Sequence, residues 1–315
     1  MRNVNPDLAV FAGDPLNPVK ILDNLQQMKV SGWTTVILSL FHVDSLDRAS
    51  DIYFNNYLAI SGGTVMDLFL DWQNPLSQLL EGSTVRQIYA SIGGGDPVRD
   101  FTHIADAYYA NKGSFHNTTL EFNLKALKSQ FPAITGIDMD IEDSYDETVF
   151  LAFCKLVRGL GYDISFCPFG AREGHGQGGF WFFVRMLEAI EKSDWGKGAV
   201  KRFNVQYYAD QNSPPLDYVE AIKERLPDFD TSGFINIGCW ARYKNKDKWE
   251  QSCPSGLQDL IVYFRKLGAD PIGGAFIWNL DYILETTLDS RGCDGYASMG
   301  DYTRAIWNGM STPIG

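Results

Sequence analysis

The chain lacks most of the patterns that would assign it quickly to a class. No stretch of its 315 residues approaches the ~18 consecutive apolar residues of a membrane helix. The opening MRNVNPDLAVFAGDP has no apolar core of a secretory signal. The chain is therefore expected to be soluble, with its compartment left open. Cysteine is scarce: Cys154, Cys167, Cys239, Cys253 and Cys293 lie far apart and form no CxxC pair, which excludes a zinc module and a dense disulfide scaffold. The first three fall in apolar runs and are expected to be small buried hydrophobes. Positive charge is also short, with 27 Lys and Arg against 39 Asp and Glu and a formal net charge of −12. An acidic surface repels phosphates and acidic lipids, so neither a nucleic acid nor a membrane is expected as partner. No GxGxxG follows the first apolar run; the glycine-rich SIGGG starting at Ser91 follows the third, which argues against a dinucleotide site.

What is present is alternation. Short apolar runs rich in β-branched and aromatic residues predict strands over Ala9–Ala12, Thr35–Phe41, Gln87–Ile92, Ile134–Ile141, Asp163–Cys167, Phe203–Tyr208, Phe234–Cys239 and Gly273–Trp278. Helical spacing predicts helices over Pro18–Val30, Val98–Ala110, Leu120–Gln130, Glu147–Leu160, Trp181–Lys192, Leu216–Leu226 and Gly256–Leu267. Eight strands with helices between them point to a parallel sheet of the α/β class, closed as a single (β/α)8 TIM barrel, with a doubly wound open sheet as the structural alternative. No linker or composition break divides residues 1–315, so one domain is expected. The long span Val43–Asn74 after strand 2 contains IYFNNYLAISGG, read as a β-hairpin insertion over the barrel mouth with Asn55-Asn56 at the turn. Aromatic residues make up 14% of the chain, and Tyr53, Trp72, Trp181, Trp195, Trp240 and Trp249 lie near loop-like stretches; they either pack core and rim or stack on sugars.

The stretch with the most chemistry is GIDMDIED, Gly136 to Asp143, at the end of the fourth strand. Side chains alternate along a strand, so Asp138, Asp140 and Glu142 share one face while Ile137, Met139 and Ile141 share the other. In a barrel the acids line the interior and approach its C-terminal mouth. Three carboxyl groups in a poorly solvated space cannot all ionise, so a proton must be shared. A solvated acidic edge strand or a divalent metal site would read the same way, although the flanking helices disfavour an edge and no His accompanies the acids.

These residues resemble glycoside hydrolase family 18, the chitinases and endo-β-N-acetylglucosaminidases. Thr135-Gly-Ile-Asp138-Met-Asp140-Ile-Glu142 matches the last three acids of the family's DxxDxDxE, with Thr135 in place of the first Asp. The family's SxGG is matched by Ser91-Ile92-Gly93-Gly94, its strand-eight aromatic floor by Trp278 in GGAFIWNLD, and its strand-six VQxY by Val205-Gln206-Tyr207-Tyr208. The order of these fragments on strands three, four, six and eight makes the likeness specific, and it covers about Ala9 to Tyr282. Many chitinases have Asp directly after the strand-six Tyr, whereas here Ala209 precedes Asp210.

The resemblance implies a retaining glycosidase cutting β-1,4 bonds next to N-acetylglucosamine in an oligo- or polysaccharide, with the substrate's acetamido oxygen as nucleophile. Glu142 would be the catalytic acid and then the base. Asp140 would orient the acetamido N–H and stabilise the oxazolinium-like intermediate, and Asp138 would share a proton with Asp140. Tyr208 would hydrogen-bond the acetamido oxygen, Gln206 would be a further polar contact, and Trp278 the floor of the sugar site. Ser91 and Gly94 would let strand three approach the acids and border the substrate. A negative charge missing at Thr135 would lower the acids' proton affinity. Arg172, Glu173 and His175 in FGAREGHGQGG, and His42 beyond strand two, could lie at the mouth but equally read as loop and structural residues. No cofactor or metal is needed. An endo-β-N-acetylglucosaminidase acting on N-glycans uses the same acids, as does a relative acting on peptidoglycan. A catalytically silent sugar-binding protein on the same barrel is the reading from another class.

Overall fold

In the computed structural model the described residues are 5–44, 50–95, 99–173, 177–208, 214–241, 253–267, 272–286 and 297–314. His175, Asp210, Trp249 and Cys293, which the sequence singles out, lie outside them. Eight parallel strands form the barrel: β1 (Asp7–Ala12), β2 (Thr35–Asp44), β6 (Gln87–Gly93), β7 (Ile134–Asp140), β8 (Asp163–Phe166), β9 (Val200–Val205), β10 (Ile235–Trp240) and β11 (Ile272–Trp278). Each pairs with its neighbour in the order expected for βα units. β1 closes the ring by pairing with both β2 and β11, in the registers Ala9↔Thr35 and Asp7↔Gly274.

The strands close because both faces of each are buried, as a parallel sheet requires. The outward positions, among them Val10, Val36, Ile88, Ile137, Met139, Ile164, Phe203, Ile237 and Ile277, join one continuous core with the helices. The inward positions divide into two halves. Ala9, Phe11, Ile37, Tyr89, Cys167 and Phe276 form a small apolar cluster, on which Tyr208 and Trp278 pack. Ser91, Asp138, Ser165, Arg202, Asn204 and Asn236 are buried and polar.

The helices are α1 (Ile21–Val30), α2 (Gln73–Leu80), α3 (Asp100–Ala110), α4 (Thr119–Gln130), α5 (Glu147–Gly159), α6 (Gln177–Glu191), α7 (Pro215–Arg225), α8 (Pro254–Leu267), α9 (Leu280–Thr286) and α10 (Met299–Ser311). α5 shows why they form. Asp146 accepts a hydrogen bond from Val149 N at 3.1 Å as N-cap, and Val149, Phe150, Phe153, Cys154 and Val157 make the buried stripe. Three helices differ from the expectation by existing at all. α2 is short and carries Pro75 in its first turn, α9 has seven residues, and α10 begins with a Ser298/Asp301 capping box beyond the last strand. α6 starts four residues earlier than its spacing suggested, at Gln177. Strand six also differs: it spans Val200–Val205, and Gln206, Tyr207 and Tyr208 lie past its end. There the chain leaves the ladder, Gln206 N donating to Pro168 O and Tyr207 N to Val205 O.

After β2 the chain runs through β3 (Asp51–Phe54), β4 (Tyr57–Ser61) and β5 (Thr64–Val65). β2, β3 and β4 pair antiparallel in turn, with Asn55-Asn56 between β3 and β4. Asn55 has a positive φ of 50° and holds the middle of β2 through three hydrogen bonds: its N–H donates to Leu40 O, its Oδ1 accepts from Leu40 N, and its Nδ2 donates to Ser39 O. Trp72, one of the loop aromatics, is core: it is buried among Phe41, Phe54, Phe69 and Phe131. Cys154, Cys167 and Cys239 are free and buried, and Cys253 is disulfide-bonded. Among the described residues no helix is long and apolar enough to cross a membrane.

Candidate active site

The alternation of β7 sets three acids at three depths. Asp138 has no exposed surface and accepts three hydrogen bonds, from Ser165 Oγ at 2.5 Å, Asn204 Nδ2 at 2.9 Å and Ser91 Oγ at 3.0 Å. Burial pushes its carboxyl up to about 6, against the pull of these donors. Asp140, two residues nearer the mouth, is 3% exposed. Burial, the Glu142 charge and the Asp138 charge hold its carboxyl well above the carboxylate range, opposed by a hydrogen bond with the Cys167 thiol. Glu142, just past the strand, is half-buried, and burial raises its carboxyl too.

The Gln206 amide nitrogen joins the upper two acids. It donates to Asp140 Oδ1 at 2.9 Å, to Glu142 Oε1 at 3.2 Å and to Cys167 O at 3.2 Å. Two hydrogens serving three acceptors means that one bond is shared. The last acid of GIDMDIED, Asp143, turns away and caps α3, accepting from Thr102 N at 2.9 Å and Thr102 Oγ at 3.0 Å. That tie fixes the chain directly after Glu142.

Aromatic side chains border the acids. Trp278, half-buried at the end of β11, packs on Phe11 with ring centroids 5.3 Å apart. Tyr208 packs edge-on to Phe276 at 6.0 Å and lies 6.1 Å from Trp240, which is 38% exposed. Burial first, then the charges of Cys167, Asp140, Glu142 and Asp138, hold the Tyr208 hydroxyl neutral. A cavity of about 320 Å³ extends from Trp278 and Asp281 to Asn55, Asn56 and Tyr57 at the β3–β4 turn.

The structure thus brings Asp138, Asp140, Glu142, Gln206, Tyr208 and Trp278 together, and it revises the place of several others. Ser91 was expected beside the substrate, but it has no exposed surface and its hydroxyl is committed to Asp138, so it supports the acids from below. Gly94 is likewise buried and acts through its backbone, its N–H donating to Asp140 O at 2.8 Å. Gln206 is 5% exposed and its amide is occupied by the acids, which makes it a bridge between them rather than an open contact. Thr135 donates to Ile88 O at 3.3 Å and stands three residues, about 10 Å of strand, before Asp138. His42 Nδ1 lies 3.0 Å from Asp100, and Arg172 pairs with Glu224 at 2.6 Å and Glu220 at 3.5 Å. Ser165, Asn204 and Asn236 escaped the sequence reading; carrying the inward parity of β7 across to β8, β9 and β10 finds all three, while Trp240, one of the loop aromatics, stands beside Tyr208. Among the described residues no group of three or more His, Cys, Asp or Glu side chains is placed to hold a metal ion.

No family model matches the sequence, and no curated protein matches it. Solved structures do match over nearly the whole chain. A chitinase from Chromobacterium violaceum is 12% identical, with a TM-score of 0.60, covering 98% of this chain and 100% of its own. A variant of a glycoside hydrolase family 18 chitinase from Cycas revoluta, solved with (GlcNAc)4, is 10% identical, with a TM-score of 0.56 and coverage of 96% and 99%. A chitinase-like agglutinin from Robinia pseudoacacia is 12% identical, with a TM-score of 0.56 and coverage of 95% and 99%. The shared property is the fold, a closed (β/α)8 barrel, which among those structures carries both chitinases and chitinase-like lectins.

Proposed function

We propose that the chain is a retaining glycosidase that hydrolyses β-1,4 bonds next to N-acetylglucosamine, with Glu142 as acid and base and the substrate's acetamido oxygen as nucleophile. The observation that carries this reading is the single Gln206 nitrogen shared by Asp140 and Glu142. Their oxygens lie 2.9 and 3.2 Å from it, and so at most 6.1 Å apart, the sum of those distances. An inverting pair stands roughly 6.5–9.5 Å apart to admit a water. A nucleophilic partner must reach the anomeric carbon, and Asp140 is 3% exposed beneath Glu142. Within the triad Glu142 is the accessible carboxyl, which supports an attacking oxygen supplied by the substrate.

In this mechanism Glu142, raised by burial, protonates the departing glycosidic oxygen. Asp140 accepts from the acetamido N–H and steadies the positive ring that forms, Tyr208 donates to the acetamido oxygen, and Trp278 lies under the sugar. Glu142 then removes a proton from the incoming water. No cofactor enters these steps. Chitooligosaccharides and an N-glycopeptide offered separately distinguish a chitinase-like from an N-glycan specificity. Proton NMR of fresh hydrolysate is expected to show the retained anomer. An inverted first product, or equal cleavage of fully deacetylated chains, refutes substrate assistance. The agglutinin on the same fold supports a second reading, a sugar-binding protein without turnover. Tight binding of GlcNAc oligomers with no release of product would establish it.

A further inference from the structure

Below the acids, the polar half of the barrel interior is a directed chain. Asn204 Nδ2 donates to Asp138 Oδ1 at 2.9 Å, and Asn204 Oδ1 accepts from Asn236 Nδ2 at 3.1 Å. Asn236 Nδ2 gives its other hydrogen to Asp7 Oδ2 at 2.7 Å. Asn204 has no exposed surface and Asn236 is 1% exposed. At the N-terminal end of the barrel, Asp7 is ion-paired with Arg202 and accepts from Thr35 Oγ at 2.5 Å.

The polarity of this chain follows from its base. A carboxylate paired with a guanidinium only accepts, so Asn236 must turn its nitrogen to Asp7. Its second N–H then meets an oxygen, Asn204 Oδ1, which leaves the Asn204 nitrogen facing Asp138. The amide orientations, ambiguous for an isolated Asn, are fixed by the charge at the far end. With Ser91 and Ser165, Asp138 thus has donors on both oxygens, an environment matched to the ionised form.

We infer that Asn204 and Asn236 are positioning residues which, anchored on the Asp7–Arg202 pair, hold Asp138 as a carboxylate and leave the exchangeable proton to Asp140 and Glu142. The other groups facing Asp138 do not compete for that role. Tyr89 on β6, Cys167 after β8 and Tyr208 after β9 are all kept neutral, by burial first, with neighbouring charges that include Asp138 adding to it. The Arg202 guanidinium is spent on Asp7 and Gln87 and stacks 5.1 Å from the Tyr89 ring.

The test follows the carboxyl carbons directly, by NMR of protein labelled with 13C at aspartate Cγ, so it does not depend on what the chain hydrolyses. Asn236→Ala frees the Asn204 amide to turn. The Asp138 midpoint is then expected to rise by about one pH unit, the scale of one lost donor. Where GlcNAc oligomers are hydrolysed, and here the proposal rests on the glycosidase reading, the acidic limb of kcat/KM moves up by the same amount. In an Asp138→Asn background the limb ignores Asn236→Ala. An unmoved Asp138 midpoint in folded Asn236→Ala protein overturns the proposal and reduces Asn236 to packing. Wild-type protein provides a second measurement that needs no variant. The side-chain amide signals of Asn204 and Asn236 are expected to shift together at the Asp138 midpoint, and an Asn236 signal that ignores it also overturns the proposal. Absence of hydrolysis with a raised midpoint leaves this inference standing and refutes the glycosidase reading alone.

Discussion

Replacing Asp138 by Asn should stabilise the protein at alkaline pH and hardly affect it in acid. Burial raises Asp138 from its ordinary 3.8 to about 6. Below the unfolded value the group is protonated in both states and costs nothing. As pH climbs through the folded value the folded state must carry an anion that the unfolded chain ionises more readily, so stability is lost. A rise from 3.8 to about 6 amounts to about 3 kcal/mol at about 1.36 kcal/mol per unit, with no discount for solvent because the group is wholly buried. The Asn side chain fits the same partners. Its oxygen accepts from Ser165 and Asn204, while the Ser91 hydroxyl rotates to accept from its nitrogen. Losing the Asp138 charge also relieves Asp140, which acts in the same direction. Urea unfolding of wild type and Asp138→Asn at pH 4 and pH 8 checks this, because the titrations of groups not coupled to Asp138 cancel between the two proteins. The variant should be ahead by about 3 kcal/mol at pH 8 and near equal at pH 4. Curves that stay parallel across that range would show that Asp138 is not a strained buried anion, and the account of the triad would fail with it.

Glu142→Gln keeps shape and Gln206 contact but removes the proton donor, so turnover on GlcNAc oligomers should fall about 100-fold or more with an unchanged circular dichroism spectrum. Trp278→Ala should weaken oligomer binding by about tenfold, the equivalent of ~1.5 kcal/mol of aromatic contact, as read by calorimetry. Gly93→Ala should destabilise by at least ~2 kcal/mol in thermal unfolding: φ there is +119°, and an added Cβ would lie 1.9 Å from Asp140 O. Wild-type stability after this substitution would mean that β6 can retreat from β7.

The barrel was legible because its outward faces must be apolar, and eight such runs with helices between them permit few topologies. The acids were legible because Asp138, Asp140 and Glu142 break an otherwise apolar strand at period two. The network that receives them was harder to see. Ser165, Asn204 and Asn236 are ordinary residues whose role depends on register between strands, and the sequence does not state register. The turn of the chain at Gln206 and Tyr208 was hidden for a related reason: VQYY is strand-like in composition, while the hydrogen bond from Gln206 N to Pro168 O ends the strand. α2 and α10 were missed where amphipathic spacing is short or lies past the last expected strand.

The pairing of β1 has a consequence for synthesis. Its two partners stand very differently in time. β2 is made almost at once, but Asp7 waits for Gly274, 267 residues later. At about 5–20 residues per second that is about 13–53 s on the ribosome. Through that interval one edge of β1 has unpaired backbone groups, and its outward Leu8, Val10 and Ala12 lack part of their final cover. The nascent chain therefore carries an open strand edge until β11 is made, and its yield in a cell depends on what shields Asp7–Ala12 in that interval.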